Sequence, residues 1–119
     1  MKPVLLDENL PHSLRHHIRN SAMAVYAGFA GIENGKQLDA AESARFEVLI
    51  TGDKTLHLEQ NLMGRKITLV SLATVSWLLI EPHVGNIAAA VDSATPGSFT
   101  RIDCCVFKRP SKSPRKQPS

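Results

Sequence analysis

Val48-Leu49-Ile50-Thr51-Gly52-Asp53 is the stretch that decides the fold. Together with Phe46 and Glu47 it makes a short run rich in apolar and β-branched residues that stops at a glycine and an acid. Such a run, bounded by a turn signal, is what a strand buried on both faces looks like. Lys2–Leu6, which ends at Asp7 and Glu8, and Ile67–Leu72 have the same character. Amphipathic segments lie between them. Pro11–Ile18 reads as a helix with Pro11 suited to its first turn. Asn34 can cap a helix through about Ala44, with Leu38, Ala41 and Ala44 or Arg45 at helical spacing. Leu56–Met63 reads as a short helix closed by Gly64. Glu81–Ala94 reads as a helix with Val84, Ile87, Ala88 and Val91 on one face. Met23–Tyr26 is a second short strand, followed by a loop punctuated by Gly28, Gly31 and Gly35, and Phe99–Phe107 is an edge strand. This alternation predicts an α/β fold, a mostly parallel sheet of about 4–5 strands flanked by helices.

The chain has 119 residues and a mass of 13.0 kDa, enough for one domain that folds without staples. Its hydrophobic fraction of 43% and charged fraction of 21% exclude bulk disorder. No apolar run approaches the ~20 residues of a membrane span. The N-terminal apolar stretch meets Asp7 and Glu8 too soon for a signal peptide, so a cytoplasmic protein is expected. The net charge of +3 divides unevenly. Five of the 14 basic residues stand in residues 108–119, so Met1–Phe107 carries nine against 11 acidic residues, about −2. The domain is expected over residues 1–107. The Pro-, Ser- and Lys-rich stretch 108–119 is expected to be a disordered basic tail that adds salt-sensitive phosphate affinity at most. The two cysteines, Cys104 and Cys105, are neighbours with neither metal spacing nor a third partner, which fits reduced thiols.

Acids stand where a parallel sheet places its sites, outside the carboxyl ends of its strands. Asp7 and Glu8 end the first strand, Asp53 ends Val48–Thr51, and Glu33 and Asn34 open the helix between them. Carboxylates brought together repel unless a proton or a cation joins them. Oxygen ligands favour Mg²⁺ or Mn²⁺, and a metal held by two carboxylates with open positions is equipment for phosphodiester hydrolysis. The competing reading is structural: acids after strands also cap the next helix, Asp7 near Pro11 and Asp53 from Thr55 onward. Lys54 can contact a phosphate or neutralise the acids. His57 stands a turn beyond. His12 and His16 are spaced i, i+4 but lack a third ligand nearby in sequence. His83, after Pro82, fits a structural place at a helix start. Trp77, the only tryptophan, fits the core, or with Leu78-Leu79-Ile80 an exposed patch for a subunit or partner contact. The run Ala88-Ala89-Ala90 also fits a subunit interface, so a homodimer is reasonable.

Leu5-Leu6-Asp7-Glu8-Asn9-Leu10-Pro11 followed by Val48-Leu49-Ile50-Thr51-Gly52-Asp53-Lys54 resembles the PIN-like domain family, with order and spacing matching over about Lys2–Val70. The resemblance implies a three-layer sandwich with acids at one end of a parallel sheet, and a metal-dependent ribonuclease that acts as the toxin of a toxin–antitoxin pair, with RNA and an antitoxin protein as partners. On it, Asp7, Asp53 and Asn34 are catalytic, Asp7, Asp53, Glu33 and Glu8 hold Mg²⁺ or Mn²⁺, and Lys54 and Thr55 bind substrate. Two positions depart from the family pattern: Asn34 and Thr55 stand where acids are expected. These departures favour an alternative, a PIN-like fold with weak or no catalysis that binds a protein or a nucleic acid. A response-regulator-like domain also has acids after its first strand. It requires a phosphoacceptor Asp after a central strand and a Lys after the last strand. Here Lys54 directly follows Asp53, and no late strand-end Lys precedes the tail.

Overall fold

A computed structural model of the chain describes residues 2–24, 28, 34–53, 62 and 64–103. Five strands form one sheet: β1 (Val4–Leu6), β2 (Ser21–Met23), β3 (Val48–Thr51), β4 (Thr68–Leu72) and β5 (Phe99–Ile102), in the order β2-β1-β3-β4-β5. Every neighbouring pair is parallel. Parallel neighbours need crossovers. These include a 3-10 helix η1 (His12–His17) between β1 and β2, α1 (Asn34–Ser43) before β3, and α2 (Trp77–Ile80), a 3-10 turn η2 (Glu81–His83) and α3 (Val84–Asp92) before β5.

The period of two along each strand builds the three layers. Val4 and Leu6, Val48 and Ile50, and Val70 and Leu72 point to one face. There they pack with Leu10, Leu14, Ile18, Ile80, Ile87 and Val91, contributed by η1, α2, α3 and their flanks. Leu5, Leu49 and Leu69 point to the other face and pack with Leu38 and Ala41 of α1. All twelve residues of β1, β3 and β4 are buried, which is why those strands read as apolar runs rather than as alternating ones.

The expected α/β sandwich is therefore present, with differences at the element ends. The segment expected as a helix over Pro11–Ile18 is a 3-10 helix in which only Leu14 is buried. The second strand is described at Ser21–Met23, sharing Met23 with the expected Met23–Tyr26, whose residues 25 and 26 lie outside the described residues. The helix expected from Glu81 begins at Val84, because Pro82 occupies the 3-10 turn before it. Helix α2 carries the Trp77 segment, with Trp77 and Ile80, one turn apart, turned to the core. The expected helix at Leu56–Met63 apart from Leu62, the part of the expected edge strand beyond Asp103, and the tail 108–119 lie outside the described residues. No helix among the described residues is long and apolar enough to cross a membrane.

Two polar clamps hold the layers. Arg65, just ahead of β4, pairs with Asp39 at 2.7 Å and Glu42 at 2.9 Å on α1. The hydrogen bond to Asp39 chiefly raises the affinity of that guanidinium for its proton, against the opposing effect of burial. Lys2 Nζ donates to the carbonyls of Val91, Asp92 and Ala94 at 3.1, 2.8 and 2.8 Å. The last carbonyls of a helix lack intrahelical donors and carry its negative dipole end, so a cation is favoured there. Lys2→Ala is expected to lower stability by about 1–2 kcal/mol in urea unfolding; an unchanged midpoint would show the clamp to be idle.

Candidate functional site at the carboxyl edge of the sheet

The chain leaves β1 towards β2 on one side and later returns to place β3 on the other, so β1 and β3 flank a topological switch point. Open α/β sheets bind ligands in the crevice outside such a point. Asp7-Glu8-Asn9 and Thr51-Gly52-Asp53 stand there. Sheet register aligns a polar row across the strands. Asp7 follows Leu6, whose partner is Ile50; Thr51 follows Ile50 and is paired with Ser71, and Ser71 with Arg101. Asp7, Thr51 and Ser71 are 2%, 0% and 1% exposed, whereas Arg101 at the edge is exposed.

Hydrogen bonds join this row. Thr51 Oγ1 donates to Asp7 Oδ2 at 2.8 Å and accepts the Asp53 N–H at 3.0 Å. The Asn9 N–H donates to Asp7 Oδ1 at 3.2 Å, closing an Asx turn after β1. Asp7 N–H donates to Ile50 O at 2.9 Å, and Ser71 Oγ donates to Asp53 O at 3.2 Å. A buried carboxylate is costly unless such donors surround it. Both Asp7 oxygens are so engaged, and the group ties the ends of β1 and β3 together.

This geometry corrects the metal reading. Mg²⁺ needs near-octahedral oxygen ligands and keeps several waters, which a carboxylate closed off from solvent and already bonded on both oxygens does not supply. The Asp53 backbone N–H, not its carboxylate, is what links it to Asp7 through Thr51; the residue is half-buried. Glu8 is exposed in the turn after β1, and Asn34 opens α1. Glu33, Lys54, Thr55 and His57 lie outside the described residues. Among the described residues no group of three or more His, Cys, Asp or Glu could hold a metal ion. The expected Mg²⁺ or Mn²⁺ cofactor, the metal-dependent ribonuclease and the toxin activity built on it are therefore not supported. For Asp7 the capping alternative is corrected too: Asp7 bonds Asn9, and Pro11 at the start of η1 receives no side-chain cap; the helix expected after an Asp53 cap, from Thr55 onward, lies outside the described residues. His12 and His16 are exposed on η1.

Sequence reasoning missed Thr51 and Ser71. Their signal was present: Thr51 is the one hydroxyl residue of V-L-I-T, and Ser71 is the hydroxyl that shares the parity of Leu69 in T-L-V-S-L. It also missed the constraint at Gly52, where an added Cβ would stand 2.5 Å from Val75 Cγ1. That contact brings the segment after β4 down onto the end of β3. Two open cavities, of about 420 and 590 Å³, lie at the other end of the sheet; Lys2 lines the first, and Glu47 and Lys66 the second.

Thr51→Val strips Asp7 of a buried donor and is expected to cost about 2–3 kcal/mol in urea unfolding, whereas Ser71→Ala costs about 1 kcal/mol or less. Equal costs would show that the carboxylate does not depend on Thr51. Gly52→Ala is expected to destabilise by about 1–3 kcal/mol, and adding Val75→Ala to recover most of that loss. Strictly additive losses would remove the Gly52–Val75 constraint.

No family model matches the chain, and neither a curated protein nor a solved structure matches it.

Proposed function

We propose that the chain is a PIN-like binding module without hydrolytic activity, which docks a partner protein through α2 and the residues just ahead of it. One observation carries this reading. Val75, Leu78 and Leu79 are 47%, 79% and 37% exposed, while Trp77 and Ile80 of the same short helix are turned to the core. Single exposed apolar residues are ordinary, but three within five positions form a ridge of the kind that marks an interaction surface. The Gly52–Val75 contact fixes one end of the ridge to the sheet and Ile80 the other, so its shape is set before a partner arrives.

The PIN-like assignment rests on the Leu5–Pro11 and Val48–Lys54 motifs, and the parallel sandwich is compatible with it. A slightly acidic Met1–Phe107 favours a protein partner over a nucleic acid spread across the domain. A cytoplasmic setting belongs to the same proposal, since two adjacent cysteines make no disulfide framework.

The test is incubation of the full chain with end-labelled single-stranded RNA in Mn²⁺, Mg²⁺ or EDTA, beside thermal unfolding in the same buffers. The expected outcome is no metal-dependent cutting, and a melting temperature that moves by less than about 1 °C at millimolar metal. Metal-dependent cutting that is lost in Asp7→Asn would overturn the reading.

A further inference from the structure

We infer that the partner surface is an acidic amphipathic helix, a conclusion that rests on the binding-module reading and adds the partner's chemistry to it. The ridge does not stand alone. Helix α2 packs beside η1, and the His17 ring lies 5.4 Å from the Trp77 ring, centroid to centroid, tilted by 32°. His12, Arg15, His16, His17 and Arg19 of η1 and its flank are all exposed, and no acid occurs from His12 to Asn20. The described surface thus sets a basic strip against an apolar ridge, on a chain whose residues 1–107 are slightly acidic as a whole.

His17 also lines the cavity of about 420 Å³, where Lys2, Ile18 and Arg19 face Ala88, Val91 and the single acid Asp92 of α3. His17 thus touches α2 through Trp77 and also lines the groove. An amphipathic helix laid here would place leucine-type anchors at i, i+3, i+4 and i+7 on Leu78, Leu79 and Val75. Its flanking Glu and Asp would meet Arg15 and Arg19. Opposed charges of this kind steer encounter and fix orientation, while the apolar contacts supply most of the affinity. Nucleic acid would satisfy the strip but not the ridge: Leu78, the most exposed large apolar side chain among the described residues, offers nothing to a phosphate, and Trp77 is already packed between the core and His17.

The experiment is selection from a display library of random 16-residue peptides on the immobilised full chain, compared with two variants, Leu78→Asp/Leu79→Asp and Arg15→Glu/Arg19→Glu. Both pairs are exposed, and circular dichroism with unchanged thermal unfolding establishes that the variants fold. The expected result is enrichment of acidic peptides with apolar residues at helical spacing. Their binding should be abolished by the Leu78/Leu79 variant, fall at least about tenfold in the Arg15/Arg19 variant, and weaken as salt rises. Enriched peptides that are basic or uncharged, lost with Leu78/Leu79 but indifferent to Arg15/Arg19, would overturn the acidic partner and leave the binding module standing. Enrichment indifferent to all four residues, or none, would overturn both. Single-stranded RNA bound through Arg15 and Arg19 in the absence of peptide enrichment would also overturn the inference, in favour of a nucleic-acid partner.

Discussion

The hydrogen bond from Thr51 to Asp7 is the constraint around which this sheet closes. Three short parallel strands end side by side, and each must dispose of backbone and side-chain polar groups in a place closed to water. Thr51 serves two neighbours at once, donating to the Asp7 carboxylate and accepting from the Asp53 amide. Ser71 extends the chain to the Asp53 carbonyl. In a low-dielectric setting such a network is worth keeping only when every member is satisfied. The polar row thus defines where the strands stop, and so where the segment carrying α2 leaves the sheet.

From that edge the exposed face follows in physical order. Gly52 leaves room for Val75 to settle on the end of β3. Trp77 and Ile80 then turn inward, which leaves Leu78 and Leu79 outward on a helix only four residues long. The tightly held Asp7 at the carboxyl end of the sheet and the apolar ridge beside it are consequences of one packing arrangement.

Much of the fold was legible in the amino-acid sequence. The runs at Val4–Leu6, Val48–Thr51 and Thr68–Leu72 are fully buried strands, and uninterrupted apolar runs report burial on both faces directly. The extent of α1 was also close to expectation, because Leu38 and Ala41 share one face. Less was legible where two elements compete within a few residues. Pro11–Ile18 has a helix-compatible pattern, yet it carries only one buried anchor and tightens into a 3-10 helix. The Trp77 segment reads as a plain apolar run, and only the one-turn spacing of Trp77 and Ile80 separates inside from outside.

The candidate site was legible in position and not in role. Asp7 and Asp53 follow the neighbouring strands β1 and β3 and so stand at the same end of the sheet. Whether a carboxylate faces a ligand or a hydroxyl depends on the partner across the sheet, and register is not written in local sequence. Asp7 here faces Thr51. The most direct test of that assignment is a double-mutant cycle of Asp7→Ala and Thr51→Val, read by urea unfolding in EDTA. A structural tie predicts that the two losses are strongly non-additive, with a coupling of about 1–3 kcal/mol. Additive losses, or an Asp7→Ala protein more stable than the parent, would contradict it.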